Sequence, residues 1–201
     1  MTDATALLRS CTGVVLCGGA SSRMGIDKAS LLVEGEPLAI RPVGALLRAG
    51  VSEAITVGGS IDLEPQGVTR VADRWPGTGP LGGIASAAMR RPGRPLVVLA
   101  CDLPAITERT ITELAHAAAS QDGDATAAVV SAVGGTPQWL VAILPSVAVE
   151  RCVDAFHRGI RAPRLAYGSL TFVEAAVPAE LVDVDDLEAL QVWCSGEMDP
   201  E

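Results

Sequence analysis

The stretch VVLCGGASSRMGIDK, residues 14–28, decides how the rest of the chain is interpreted. Its apolar start, residues 14–16, is typical of a buried strand. The glycines and small residues that follow would let backbone N–H groups approach a ligand closely, and the cations Arg23 and Lys28 come next. A strand end, a small-residue loop and two cations predict a cradle for a polyphosphate. An ordinary turn, with glycines serving only backbone geometry, is the alternative.

The stretch matches neither of the two commonest phosphate-binding patterns. The P-loop requires Gly, four residues and then Gly-Lys-Ser/Thr, and no such string occurs in the chain. The dinucleotide fingerprint requires Gly-x-Gly-x-x-Gly at the start of a helix, whereas Gly18 and Gly19 are adjacent here. A loop rather than a helix is therefore predicted after the first strand.

Composition predicts one globular domain over residues 1–201, with loose tails at 1–10 and 195–201. Of the 201 residues, 49% are hydrophobic and 19% charged, which excludes a disordered chain. Aromatic residues make up only 3%, so the core must consist of Ala, Val, Leu and Ile. Such a core fits a parallel sheet covered by helices.

The net charge of −9 and the pI near 4.7 argue against a nucleic-acid partner, which needs clustered Lys and Arg. A nucleotide could still bind where the pocket is locally positive or carries a divalent cation. The start MTDATALLRS does not resemble a secretory signal. No apolar run approaches the roughly 18 residues of a membrane span, so a cytoplasmic protein without membrane association is predicted.

The five cysteines show no metal-binding or disulfide spacing and predict free thiols in a reducing compartment. Two of them end the first and fourth predicted strands, so their thiols would lie near the glycine loop if those strands are neighbours. Nucleophilic catalysis is not expected, because no histidine is placed to act as base. The cysteines are Cys11, Cys17, Cys101, Cys152 and Cys194.

Strands alternate with helices through most of the chain, which predicts an α/β fold with a largely parallel sheet. Ligands of such sheets bind outside the carboxyl ends of the strands. The loops at Gly18, Asp73 and Asp102 should therefore share one edge. The predicted strands are 14–16, 54–57, 68–72, 95–100, 125–130, 139–143 and 170–173, and the predicted helices are 37–49, 84–90, 107–120, 145–156 and 185–193.

The string L-x-G-G-x-S-x-R-M-G-x-D-K, residues 16–28, resembles the signature loop of nucleotidyltransferases that join a nucleoside monophosphate to a phosphorylated acceptor. In this form it is most similar to the molybdenum cofactor guanylyltransferases of the MobA-like nucleotidyltransferase family. The resemblance implies a three-layer, Rossmann-like (GT-A-like) nucleotidyltransferase fold with a mostly parallel mixed sheet. It covers most of the chain, but its motifs concentrate before residue 105.

The resemblance also implies roles for individual residues. Arg23, Lys28 and Asp102 would be catalytic, with Arg23 alternatively bracing the loop. Two loops would bind the nucleotide, and Gly58 departs from the family, where Asn often contacts it. The nucleotide-binding residues would be Leu16, Cys17, Gly18, Gly19, Lys28, Asp73, Gly79, Pro80 and Leu81. Asp73 could accept hydrogen bonds from guanine, or serve the ribose or its own loop.

A magnesium ion is predicted at Asp102, since Mg²⁺ needs only one or two protein carboxylates plus substrate phosphates. A turn or helix-cap aspartate is the alternative. The resemblance places a second ligand at Asp185 or Asp183, in LVDVDDLEAL, where the family has Asn. Asp185 with Glu188 also fits a capping box.

The implied reaction is transfer of GMP from GTP to the phosphate of molybdopterin carrying molybdenum, with release of pyrophosphate. The substrates would be GTP and molybdopterin, the enzyme a monomer, and molybdoenzymes or cofactor-insertion proteins candidate partners. Gly134–Gln138 and the arginines at 158, 161 and 164 are candidates for holding the pterin phosphate. The alternatives are CTP as donor, a sugar phosphate or phospholactate as acceptor, and a non-catalytic module that binds GTP or the pterin.

Overall fold

The first long strand, β1, lies in the middle of the fold. In this computed structural model, which describes residues 3–18, 27–63, 67–120, 127–168 and 170–174, all five residues of Thr12–Leu16 are buried. The strand pairs in parallel with one neighbour on each side. The apolar run at 14–16 thus marks a central strand, as predicted.

The strands are Thr12–Leu16 (β1), Leu32–Val33 (β2), Glu36–Pro37 (β3), Glu53–Val57 (β4), Thr69–Val71 (β5), Leu96–Ala100 (β6), Ala128–Val133 (β7), Thr136–Leu144 (β8) and Leu170–Glu174 (β9). The helices are Ala4–Ser10 (α1), Ile40–Ala49 (α2), Pro80–Arg90 (α3), Glu108–Ala119 (α4), Ser146–His157 (α5) and Pro163–Ala166 (α6). Lys28–Ser30 form a 3-10 turn.

Seven strands form one mixed, mostly parallel sheet in the order β5-β4-β1-β6-β8-β7-β9. The pairs β5–β4, β4–β1, β1–β6 and β7–β9 are parallel, and β8 runs antiparallel to both of its neighbours. The short strands β2 and β3 form a separate hairpin. The predicted fold class is confirmed.

Helices cover both faces of this sheet, which makes the fold three-layered. Val15 and its neighbours pack against α1, α2 and α4, whereas Val14 and Leu16 pack against α3, α5 and α6. Alternate side chains of one strand therefore enter opposite cores. Burying each such Val or Leu stabilises the fold by about 1.5–3 kcal/mol.

Several predicted elements differ from the structure. Residues 1–10 are not a loose tail throughout, because α1 forms and buries Ala4 and Leu8. Helix α2 begins at Ile40, since Pro37 pairs with Leu32 in the β2–β3 hairpin. Helix α3 begins at Pro80 rather than at residue 84.

The predicted loop 134–138 is largely strand. Gly134 and Gly135 alone form the tight turn, with φ of 53° and 76°, and β8 starts immediately afterwards. Strand β7 likewise ends later than predicted. The predicted helix 185–193 and the tail 195–201 lie outside the described residues. Within the described ranges, the model contains no helix with the length and apolarity that a membrane crossing demands.

Candidate functional site

The carboxyl ends of β1, β4 and β6 carry the candidate site. Hydrogen bonds between the strands continue past their ends: the Cys17 N–H donates to the Val57 carbonyl at 2.8 Å, and the Cys101 N–H to the Leu16 carbonyl at 3.2 Å. These bonds hold the loops that follow in fixed positions. Loops from these parallel strands consequently meet at one edge, where the sequence predicted the loops at Gly18, Asp73 and Asp102 to lie together.

The loops that follow β1, β4 and β5 meet at Gly18, Gly58 and Asp73. A Cβ added to Gly18 would lie 3.6 Å from Asp73 Oδ2. Gly58 has a φ of +74°, and a Cβ there would lie only 3.0 Å from Gly18 Cα. A backbone-to-backbone contact this close leaves no room for a side chain, and the positive φ independently favours glycine. Gly58 thus allows the close approach of the backbone at Gly18, where the glycine loop begins.

Gly58→Ala should therefore weaken GTP binding in addition to destabilising the protein. Gly50→Ala is the matched control, because Gly50 also has a positive φ of +95° but has no atom within 4 Å of its added Cβ. Both variants should lose about 1–2 kcal/mol of unfolding free energy, measured by urea denaturation. GTP affinity should fall only in Gly58→Ala. Equal GTP affinities in the two variants would contradict a role for the Gly18–Gly58 contact.

Lys28 and Asp102 face each other across this edge. Lys28 Nζ lies 3.6 Å from Asp102 Oδ2, and their side chains are 13% and 21% exposed. Both groups are thus partly shielded from water, which strengthens electrostatic interactions relative to those at the open surface. Two of the residues that the resemblance nominated as catalytic therefore lie next to each other.

Asp27 fastens the end of the glycine loop, a role that sequence reasoning missed. Its Oδ2 accepts hydrogen bonds from the Ser60 N–H at 2.6 Å and the Ser60 hydroxyl at 2.7 Å, and its Oδ1 accepts from the Ala29 N–H at 3.1 Å. Gly59 permits this approach, since a Cβ there would lie 3.3 Å from Asp27 Oδ2. Asp27 thereby anchors the residue next to it, Lys28.

Asp27→Asn should raise the KM for GTP by about tenfold or more, because an amide offers one acceptor oxygen where the carboxylate serves three donors. Ser60→Ala is the milder comparison, since it removes only the hydroxyl and keeps the backbone donor. The KM is measured by steady-state kinetics, and an unchanged melting temperature serves as the control for folding. A KM for GTP equal to that of the unmodified protein would refute the anchoring role of Asp27.

Asp73 is committed in part to its own loop. Its Oδ1 accepts from the Trp75 N–H at 2.9 Å and from the Ser86 hydroxyl at 3.1 Å. Ser86 in turn accepts from the Arg74 N–H at 3.0 Å. Oδ1 of Asp73 thus supports its own loop, which is one of the three roles that the sequence left open. Oδ2 lies on the side of Gly18. Sequence reasoning missed this role of Ser86, for which the signal in the sequence is a hydroxyl inside an apolar helix.

The two cysteines at the strand ends are neighbours, as their strands are. A hydrogen bond with Cys17 is the first cause that raises the pKa of Cys101 well above its usual range, and burial and the charge of Asp102 raise it further. The Cys17 thiol donates to the Val15 carbonyl at 3.7 Å. A thiol with a raised pKa is a poor nucleophile, so Cys101 is poorly suited to nucleophilic catalysis.

A cavity of about 530 Å³ is also lined by Asp102. Its other lining residues include Pro80, Gln138, Trp139 and Arg164. The fully buried Tyr167 donates its hydroxyl to the Trp139 carbonyl at 2.6 Å. This bond joins β8 to the residue that follows α6.

Several predicted site residues take positions that limit their roles. Leu16 and Leu81 are buried in the core, at 6% and 0% exposure, so only their backbone could face a ligand. Gly79 adopts a φ of +89° at the start of α3. The residues Gly19, Arg23, Asp183 and Asp185 lie outside the described part of the chain.

The donor set at this edge fits a hard divalent cation in a limited way. In the described part of the chain, no group of three or more His, Cys, Asp or Glu residues could hold a metal. Mg²⁺ does not require such a cage, because it keeps several waters and takes one or two carboxylates plus substrate phosphates. A single accessible carboxylate beside a loop suited to phosphate, Asp102, meets that requirement.

Comparison with known proteins gives consistent similarities. The family described as the MobA-like NTP transferase domain matches residues 13–167. A probable molybdenum cofactor guanylyltransferase of Opitutus terrae is 37% identical over 153 residues, which cover 74% of this chain and 73% of that protein. The molybdenum cofactor guanylyltransferase of Xanthomonas euvesicatoria is 41% identical over 109 residues, covering 54% of this chain and 55% of the relative.

A solved structure shares the fold. The molybdopterin-guanine dinucleotide biosynthesis protein A from Archaeoglobus fulgidus superimposes with a TM-score of 0.66 and covers 92% of this chain and 99% of its own. At 18% sequence identity, this similarity concerns the fold alone.

Proposed function

The chain belongs to the MobA-like NTP transferase family, and from that premise we propose that it transfers GMP from GTP to the phosphate of molybdopterin carrying molybdenum. The products are molybdopterin guanine dinucleotide and pyrophosphate. Relatives named molybdenum cofactor guanylyltransferase support the choice of substrates. The protein is thus an enzyme, a nucleotidyltransferase.

The observation that carries the proposal is that Asp102 both faces Lys28 and lines a cavity. Lys28, with Gly18 and Gly58 at the same edge of the sheet, suits a triphosphate. The cavity also contains Trp139 and Arg164, and we call it the acceptor cavity. A phosphorylated acceptor in that cavity would meet the α-phosphate of the nucleotide next to Asp102.

The acceptor cavity has the chemistry that a pterin phosphate requires. Trp139 lines the cavity, and its carbonyl accepts the hydrogen bond from the Tyr167 hydroxyl. The planar fused rings of a pterin stack well on a flat aromatic side chain of this kind. Arg164 supplies a guanidinium, which pairs with phosphate in a bidentate manner. Of the arginines that the sequence nominated, Arg164 lines the cavity, whereas Arg161 stacks on Phe156 and Arg158 is exposed at the end of α5.

Magnesium is part of the proposal, with Asp102 as its protein ligand and Asp185 or Asp183 as candidates for a second. When bound, the ion would offset negative charge on the phosphates. Lys28 offsets further negative charge as the leaving pyrophosphate forms. The glycine loop orients the triphosphate through backbone N–H groups.

The chemistry needs no protein nucleophile. An acceptor phosphate oxygen forms a bond to the α-phosphorus of GTP, while the bond from that phosphorus to the pyrophosphate oxygen breaks. Holding the two substrates in line is the main contribution of the residues around Asp102, since orientation alone accounts for a large part of the rate acceleration of such reactions. The raised pKa of Cys101 keeps that thiol neutral beside the reacting groups.

Pyrophosphate release tests the proposal. The purified protein is incubated with Mg²⁺, molybdopterin carrying molybdenum and either GTP or CTP, and the dinucleotide product is identified by mass spectrometry. Pyrophosphate should form with GTP, should require the acceptor and should be much slower with CTP. Binding of GTP without any turnover would instead indicate a non-catalytic module, and preference for CTP or for a sugar phosphate would overturn the substrate assignment. Monomeric state, cytoplasmic location and protein partners stay predictions.

A further inference from the structure

The loop that holds the nucleotide side of the site is linked to the acceptor cavity by a chain of stacked side chains. We call residues 73–79, between β5 and α3, the base loop, because Asp73 is the candidate contact to the guanine base. Trp75 organises this loop, because its carbonyl accepts from the Thr78 N–H at 3.2 Å and from the Thr78 hydroxyl at 2.6 Å. Its ring centroid lies 4.8 Å from that of Phe156, at the end of α5.

Arg161 continues this chain toward the cavity. Its guanidinium carbon lies 4.4 Å from the Phe156 ring centroid, and its Nη1 donates to the carbonyls of Phe156 at 2.8 Å and Ile160 at 3.0 Å. The next residues, 162–164, line the acceptor cavity. Arg161 therefore fixes the segment that forms one wall of the cavity to the end of α5.

The backbone makes a second connection between the same two segments. A Cβ on Gly79 would lie 3.7 Å from the Arg161 carbonyl oxygen, so the last residue of the base loop packs directly against this segment. Gly82 leaves room for the arrangement, since a Cβ there would lie 2.3 Å from the Thr78 hydroxyl and 3.4 Å from Phe156. The base loop and the wall of the acceptor cavity are thus both packed against the segment that contains Phe156 and Arg161.

We infer that Arg161 is a positioning residue, which acts through Phe156 to hold the base loop and the acceptor cavity in register. This inference rests on the proposed guanylyl transfer. It assigns Arg161 a different task from Arg164: the first aligns the base loop with the acceptor cavity, and the second faces the acceptor. Small displacements between two reacting groups lower the rate steeply, so loss of the link should appear in kcat.

The test is a double-mutant cycle. Arg161→Lys keeps the positive charge but loses the planar stack and the paired donation to two carbonyls. Trp75→Leu breaks the other end of the link at a half-buried residue, and Phe156→Leu breaks its middle. Each single variant should lower kcat roughly 10- to 100-fold. In Arg161→Lys, whose change lies outside the base loop, GTP affinity should change by less than about threefold.

The double variant Arg161→Lys with Trp75→Leu should lose no more activity than the worse single variant, because both changes break one link. Arg109→Lys is the matched control, since Arg109 is exposed on α4 and pairs with Glu113 one turn further along the same helix. It should leave kcat unchanged, with melting temperatures recorded for every variant.

Two results would overturn the inference. If Arg161→Lys raised only the KM for the acceptor, or if its effect multiplied with that of Trp75→Leu, Arg161 would contact the acceptor directly or act alone. Should Phe156→Leu fail to fold, the Trp75–Arg161 cycle still decides the question. An unmodified protein that makes no dinucleotide would refute the proposed function itself, a result distinct from additive losses in an active enzyme.

Discussion

Asp102→Asn is expected to lower kcat for pyrophosphate release by roughly 10³-fold. The substitution keeps the shape of the side chain and removes the carboxylate that faces Lys28 and lines the acceptor cavity. Both proposed tasks of that carboxylate, holding Mg²⁺ and facing Lys28, require its negative charge. The measurement is single-turnover kinetics at saturating GTP and acceptor.

The Asp102 variant should stay folded, because its side chain lies at a strand end rather than in the core. A melting temperature near that of the unmodified protein is the control. Mg²⁺ titration in the presence of GTP gives a second measurement, in which the variant should require more metal. Normal turnover by folded Asp102→Asn would show that the assignment of the metal site is wrong.

Lys28→Met should lower kcat by roughly 10²-fold, the second largest effect expected. The ammonium lies 3.6 Å from Asp102 and is only 13% exposed, so its charge acts at short range with limited screening by water. Methionine retains most of the apolar stem and removes the charge. Lys28→Arg is the matched comparison and should recover part of the rate, since a guanidinium also pairs with phosphate.

The Lys28 effect should appear in kcat more than in the KM for GTP, because the charge that Lys28 offsets grows as the bond to pyrophosphate breaks. Equal losses in Lys28→Met and Lys28→Arg would point to a steric role. Wild-type kcat in Lys28→Met would contradict any role in stabilising the transition state.

The sheet and its carboxyl edge could be predicted from sequence because both follow from local patterns. The apolar runs that became β1 and β6 are continuous, and Gly18, Asp73 and Asp102 each stand two residues after the end of a strand. Parallel pairing then places their loops together without further information. The signature from 16 to 28 identified the chemistry before any distance was known.

Other features depend on contacts that the sequence does not reveal. The glycines of α3 predicted a loop, yet Gly82 and Gly83 lie in the helix so that it can approach the Thr78 hydroxyl and Leu16 closely. Helix α1 forms because Asp3 caps it and Ala4 and Leu8, one turn apart, share a buried face. In α3, tertiary packing overrides the low helix propensity of glycine.

The missed site residues belong to the same class. Asp27 bonds to Ser60 across the glycine loop, and Trp75 stacks on Phe156, which is far away in the sequence. Neither pairing leaves a pattern within one segment. The local signals identified the groups proposed to face the substrates, whereas the groups that hold those in place became visible only in three dimensions.

The most direct test of the central claim is a crystal structure of the protein with Mg²⁺ and a non-hydrolysable GTP analogue. The account predicts that the triphosphate lies along the loop beginning at Gly18, with the α-phosphate beside Asp102 and facing the acceptor cavity. A nucleotide bound elsewhere, or one whose α-phosphate is out of reach of both Asp102 and Lys28, would contradict it.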